Sequence, residues 1–243
     1  MPTDCKNCPL RRKDIFLDMS EDEVAFTRKF KTGELRIGAG AQILLEGSNS
    51  PQLFTALSGQ GLRYKTLPNG RRQVLNFVFP GAFLGLQAGV MKEMQHSVEA
   101  TTEMVLCVFE RRDFYQIFRN HPERAFDLTW LAASEEHFLG EALASVGQLP
   151  AVERMAWAIL SLYEHADALG LLKNGAVPMP YRQQDLADAL GLSLVHTNKT
   201  LARLRDRQLA SWTEGWLKVH DIDALRQITG MDAESARAPR PLL

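Results

Sequence analysis

Ser193, His196, Thr197, Asn198, Lys199 and Arg203 fall close together in the stretch GLSLVHTNKTLARLRDRQLA, residues 191–210. Leu192, Leu201 and Leu204 recur among them so that one side of a helix can be buried, which leaves the polar set on the other side. These residue types suit non-covalent reading of base edges. Asn can bond adenine through two hydrogen bonds, Lys can reach guanine, and the aliphatic Leu194 and Val195 can touch a thymine methyl. Lys199, Arg203, Arg205 and Arg207 form the local basic cluster that phosphates require, and Arg182, at the entrance to the preceding helix, is a further candidate. Each has a plainer reading: Arg205 and Arg207 as solvated or salt-bridged surface, Val195 as core, the whole set as a wet helix face.

The flanking sequence supplies the elements that would hold this face in place. QQDLADAL is a short helix that stops at Gly191, where a positive φ is expected. Ser193 is placed to cap the next helix by accepting from an amide two or three residues on. Leu186, Ala187, Leu190, Leu192, Leu201 and Leu204 join the two helices, with small Ala187 permitting close approach. SWTEGWLKVH then reads as a two-stranded hairpin about Glu214-Gly215, and DIDALRQITG as a last short helix. Helix, glycine turn, helix and hairpin is the order of a winged helix-turn-helix, whose second helix enters the major groove. Upstream, AVERMAWAILSLYEHADALG is an amphipathic helix burying Met155, Ile159 and Leu162, and GLLKNGAVPMP is a loop turning at Asn174-Gly175.

The first half has a different texture. From Gly33 to Phe109 the runs QILLEG, LFTALSG, GLRYKT, RRQVLNFVF and MVLCVF alternate with Gly and Pro signals, which indicates a β sandwich or barrel. Leu67-Pro68-Asn69-Gly70 is a hairpin turn, and residues 20–30 a helix with a Ser20 cap and Glu23 as its reciprocal partner. Helical spacing takes over near residue 112. Leu128, Leu131, Phe138, Leu139, Leu143 and Val146 recur at intervals of three, four and seven, so a partner helix is expected on Leu128, Leu131, Phe138, Leu139 and Val146. The alternative is that this helix lies on the β domain. Leu149-Pro150 marks a joint. The expected fold is α+β: an N-terminal segment with a short helix (1–30), a jelly-roll-like β-roll sensor (31–118), a dimerisation helix (119–148), a winged helix-turn-helix (149–230) and a flexible tail (231–243).

Composition excludes several classes. The chain has 243 residues, 45% hydrophobic, which suits one large or two ordinary globular domains. No apolar run approaches the roughly 18–20 residues of a membrane span, and the polar N-terminus offers no signal-peptide core. Three cysteines make no disulfide framework, so cytoplasmic location is expected. The net charge of −1 argues against a protein wrapped wholesale in nucleic acid, but not against a local basic surface. There is no phosphate-gripping Gly-rich Lys loop, paired-histidine motif or nucleophile elbow, so no enzyme is expected.

The segment GAGAQILLEGSNSPQLFTALSGQGLRYKTLPNGRRQVLNFVFPGAFLG and the later QQDLADALGLSLVHTNKTLARLRDRQLA together resemble the CRP/FNR family of bacterial transcription regulators over nearly the whole chain. The resemblance implies a cyclic-nucleotide-binding-type β-roll and a homodimer on a palindromic double-stranded DNA site, with half-sites roughly 34 Å apart. RNA polymerase is the further partner it implies.

Departures bear on the switch. Cyclic-AMP-binding relatives carry Gly-Glu after the Pro-Gly stretch and Arg-Ser further on; here Leu86 follows Gly85, and no Arg lies between Arg72 and Arg111. A buried phosphate without a cation is costly, so dependence on cyclic AMP is not expected. Oxygen-sensing relatives hold an iron–sulfur cluster on four cysteines. This chain offers Cys5, Cys8 and Cys107, with Cys107 one residue off the expected strand position and so directed to the opposite face. No cofactor is expected: neither the cluster nor a haem on Pro2 and His96. Two readings stand as alternatives, a redox- or metal-responsive regulator using those cysteines and an effector-binding module that does not bind DNA. In the recognition stretch, Lys199 takes the place of a base-reading Arg, and Leu194 and Val195 that of a polar pair.

Overall fold

The computed structural model describes residues 2–230 and 239–243. Its contacts divide the chain into two units, Met1–Glu136 with Pro239–Leu243, and His137–Ala238.

The first unit opens with short 3-10 turns at Cys5–Asn7 and Leu10–Arg12 and the helix α1, Glu21–Phe30. Ser20 Oγ accepts from the Glu23 amide at 3.3 Å, and Glu23 Oε2 accepts from the Ser20 amide at 2.8 Å, the reciprocal cap expected from the sequence. Eight strands follow: β1 Lys31–Ile37, β2 Gln42–Leu44, β3 Gln52–Ser58, β4 Gly61–Thr66, β5 Arg72–Val78, β6 Phe83–Leu84, β7 Ser97–Ala100 and β8 Met104–Glu110. The helix α2, Leu86–Met91, separates β6 from β7. The strands form two four-stranded sheets, ordered β1-β8-β3-β6 and β2-β7-β4-β5, paired antiparallel throughout.

Alternation along the strands builds two cores. Phe54, Ala56, Met104, Leu106 and Val108 point inward with Leu44, Val78 and Val98 of the other sheet. Leu53, Phe83 and Phe109 use the outer face of the first sheet, where they pack with Phe114, Ile117, Leu128, Leu131 and Leu243. The helices supplying this cover are α3, Phe114–Asn120, and the start of α4, Pro122–Gln148.

The second unit continues with α5 Ala151–Ala168, β9 Ala176–Pro178, α6 Gln183–Leu190, α7 Leu194–Asp206, β10 Ala210–Thr213, β11 Trp216–Val219 and α8 Ile222–Thr229. The hairpin about Glu214-Gly215 is present, with φ of 52° and 76°, as its twist requires. The supposed loop before it is not wholly irregular. Its residues Ala176–Pro178 form a third strand, giving the order β10-β11-β9.

Two further expectations are corrected. Leu128 and Leu131 are 2% and 8% exposed because they cover the β-roll, so they are not available to a partner helix. The expected tail is not free at its end: Pro241, Leu242 and Leu243 are buried in the first unit. Residues 231–238 of that tail lie outside the described residues.

Candidate nucleic-acid interface

The local folding of the two-helix unit follows from its sequence. Asp185 accepts from the Arg182 amide at 2.8 Å at the start of α6. Gly191 ends that helix at φ 64°, and its amide bonds the Ala187 carbonyl, closing the left-handed turn. Ser193 Oγ then accepts from the His196 amide at 3.2 Å, capping α7 three residues on. Arg154 of α5 finishes the frame. Its guanidinium donates to the carbonyls of Leu190 at 2.7 Å and Leu149 at 3.0 Å, satisfying groups exposed at helix ends. Arg226 of α8 pairs with the buried Glu164 of α5 at 2.6 Å.

This frame fixes the rotational phase of α7. Thr197, Thr200 and Leu204 are fully buried, whereas Leu194 and Val195 are 40% and 65% exposed. His196, Asn198, Lys199 and Arg203 are exposed as well. The side chains of Asn198, Lys199 and Arg203 make no hydrogen bond or ion pair among the described residues, so their donors are free to meet an external acceptor. Val195, Lys199 and Arg203, four residues apart in turn, share one face.

Thr197 is a correction. Expected among the reading residues, it points into the unit, and its Oγ1 has no partner among the described residues. Ser193 is exposed but occupied as a cap. Arg182 is also occupied: its guanidinium meets Asp185 at 2.7 Å while most of the side chain stays exposed. Arg205 pairs with Asp206 at 3.0 Å, the salt-bridged reading of that residue.

On α4, Phe138 stacks on Trp157 with ring centroids 6.0 Å apart, and Val146 is partly covered. Leu139 and Leu143 remain 41% and 74% exposed, and so does Phe126 at 69%. Phe126 was not singled out by the leucine spacing.

The β-roll contains a polar connection that no motif announced. Arg63 of β4 meets Glu135 of α4 at 2.8 Å and donates to the Phe83 carbonyl at 3.1 Å, while the Asn76 amide donates to Glu135 at 2.8 Å. Burial alone would raise the Glu135 pKa, but Arg63 and Asn76 overcome it and hold it below the ordinary carboxylate value. His96, raised as a haem candidate, lies near the same groups. Burial, then Arg63, push its pKa down to about 4.

Cys107 is a second correction. Its side chain does not point away from the N-terminal segment; it lines one small apolar cavity with Cys5, Cys8, Leu242 and Leu243. The reason is strand alternation, since Cys107 shares the outer face of β8 with Phe109. Burial pushes the Cys107 thiol up to about 11 and raises Cys5 as well, with Lys31 opposing in both. Among the described residues no three His, Cys, Asp or Glu side chains are grouped so as to hold a metal ion.

Comparison with known proteins accords with this architecture. Residues 34–121 match the cyclic nucleotide-binding domain and residues 153–228 the Crp-like helix-turn-helix domain. The nitrogen fixation regulation protein FixK of Rhizobium meliloti (strain 1021) is 31% identical over 192 residues, covering 78% of this chain and 83% of that protein. The transcriptional activator protein FnrL of Cereibacter sphaeroides is 24% identical over 235 residues, covering 95% and 93%. The solved structure of FixK2 from Bradyrhizobium japonicum superposes with a TM-score of 0.74 at 22% identity, covering 82% of this chain and 98% of that one. With a β-roll, a long helix and a helix-turn-helix in this order, the chain belongs to the CRP/FNR family of transcription regulators.

Proposed function

We propose that the chain is a sequence-specific DNA-binding transcription regulator that reads a palindromic site as a homodimer and does not use cyclic AMP as its switch. One observation carries the reading: Leu194, Val195, His196, Asn198, Lys199 and Arg203 are exposed on a helix whose opposite side is fully buried. Lys199 and Asn198 read base edges, Val195 and Leu194 contact thymine methyls, and Arg203 binds phosphate, with Arg182, exposed but paired with Asp185, a secondary contact. Ser193 contributes by holding the helix start, and Thr197 leaves the reading set.

The homodimer rests on Leu139 and Leu143, one helical turn apart on α4 and exposed, with Phe126 nearer the start of that helix. Independence from cyclic AMP rests on the β-roll sequence, in which Leu86 follows Gly85 and no Arg lies between Arg72 and Arg111 to pair with a bound phosphate. RNA polymerase is the partner through which a bound dimer acts, in keeping with a relative named as a transcriptional activator.

The test is selection from a random duplex pool by purified protein without added effector, followed by salt titration. A two-fold symmetric motif, with half-sites about 34 Å apart and affinity falling steeply with salt, is expected. No affinity for any duplex at low salt overturns the reading.

A further inference from the structure

After Gly230 the described residues resume at Pro239, and Pro239–Leu243 belong to the first unit. The five residues that return are bound in the manner of a peptide ligand. Arg240 pairs in parallel with Phe16: its amide donates to the Ile15 carbonyl at 2.8 Å, and its carbonyl accepts from the Leu17 amide at 2.9 Å. Phe16 is itself seated on Gly81, where a Cβ would come within 2.2 Å of the Phe16 ring edge. The Leu243 carbonyl accepts from the buried Thr55 hydroxyl at 2.5 Å, and the Leu242 carbonyl accepts from Arg124. Arg124 is 3% exposed and aligned by Asp127 at 2.8 Å and Glu23 at 3.3 Å. Leu243 belongs to the same apolar cluster as Phe109, Phe114 and Leu128.

Such a site has specificity as well as area. Strand-type hydrogen bonds set the register, two leucines supply apolar anchors, and a buried guanidinium tests for a carbonyl at one position. A frayed tail would leave the buried Thr55 hydroxyl without this acceptor and would take the Leu242 carbonyl from Arg124, whose ion pairs to Asp127 and Glu23 would remain.

We propose that the groove bounded by Ile15–Leu17, Thr55 and Arg124 is a receptor for the Pro239–Leu243 segment, and that its occupation gives the DNA-binding unit a second attachment to the β-roll. The first attachment is the continuous helix α4. A body held at two points has less freedom to lose when it docks, so the segment preorganises the helix-turn-helix for its site. The effect on DNA rests on the DNA-binding reading above; occupation of the groove does not.

Two variants and one peptide test this. Inserting twenty Gly-Ser residues between Arg237 and Ala238 leaves the pentapeptide intact but lowers its effective concentration and relaxes the attachment. The expected result is an unchanged melting temperature and duplex affinity weaker by about tenfold, through loss of preorganisation. Native-like or tighter duplex affinity with unchanged melting temperature overturns the coupling. In parallel, a chain ending at Ser235 is titrated with a fluorescein-labelled peptide of residues 236–243. Saturable binding that the Leu242→Asp peptide fails to reproduce is expected; equal or absent binding of both peptides to the folded chain overturns the receptor site. If truncation prevents folding, the same groove is judged in the full-length chain. There Leu242→Asp is expected to raise amide exchange at Leu17, and unchanged exchange overturns the site. If the unaltered protein binds no duplex, the regulatory reading fails while the peptide and exchange measurements still judge the groove.

Discussion

Arg63 and Glu135 meet at 2.8 Å, one on a β-strand of the roll and the other on the long helix that covers it. The pair is only partly wet, and Glu135 is further held by Asn76. Glu135→Gln keeps the shape but leaves Arg63 without its counter-charge. It is expected to cost about 2 kcal/mol of stability, less than for a fully buried pair because Glu135 keeps some exposure. Urea unfolding followed by tryptophan fluorescence reads the change. In the unaltered protein, cyclic AMP is expected to leave both the urea midpoint and the duplex affinity where they were.

His96 gives a pH signature. Its pKa falls from 6.5 to about 4 in the folded chain, through burial first and then Arg63 and Lys65, with Glu135 and Glu46 opposing. Between those values the unfolded chain binds the proton and the folded chain does not. Stability is therefore full above the unfolded value and is lost as pH falls through the window, by up to about 3 kcal/mol. His96→Gln should flatten this part of the stability curve. An unchanged slope between pH 6.5 and 4 would show that other groups carry it.

Lys199→Ala is expected to lose about 1–3 kcal/mol of specific binding and to relax preference at one base position. Arg203→Ala should instead weaken binding to all sequences alike and reduce the salt slope by about one. Motif selection with each variant separates the two roles. An unchanged motif for Lys199→Ala removes that residue from base reading.

Thr197→Val tests the burial of that position. Its hydroxyl is enclosed without a partner among the described residues, so replacing it with a methyl should be neutral or stabilising by about 1 kcal/mol. Duplex affinity should not move. A loss of base preference would mean that Thr197 reaches the DNA after all.

The unaltered protein should bind duplex equally in air and under argon, and replacing Cys5, Cys8 and Cys107 together by Ser should change neither value, since burial raises the pKa of Cys5 and Cys107. Enrichment that depends on both oxygen and these thiols would restore the redox alternative.

Where local chemistry decides the structure, the sequence was informative. Ser20 with Glu23, Gly191, Ser193 and Glu214-Gly215 all act as their residue types suggest, because caps and turns are settled within a few residues. Features settled by distant partners were not legible. Ala176–Pro178 becomes a strand because β11 presents an edge to it, and three residues ending in a proline carry no strand signal of their own. The leucine spacing in α4 marked an apolar face correctly but could not say which surface covers it, so Leu128 and Leu131 went to the β-roll. Thr197 stood on the buried arc defined by Leu201 and Leu204, yet a small polar side chain hid that position. The leucines at 242 and 243 looked like tail because nothing near them in the chain shows Thr55 or Arg124 waiting.

The buried threonines of α7 have one more consequence. Thr197, Thr200 and Leu204 fasten the helix from beneath, while Val195, Asn198 and Lys199 are exposed and Leu194 is partly so. If these outer positions read bases as proposed, substitutions there would change the preferred operator without weakening the buried attachment of the helix, so retargeting could proceed one base pair at a time.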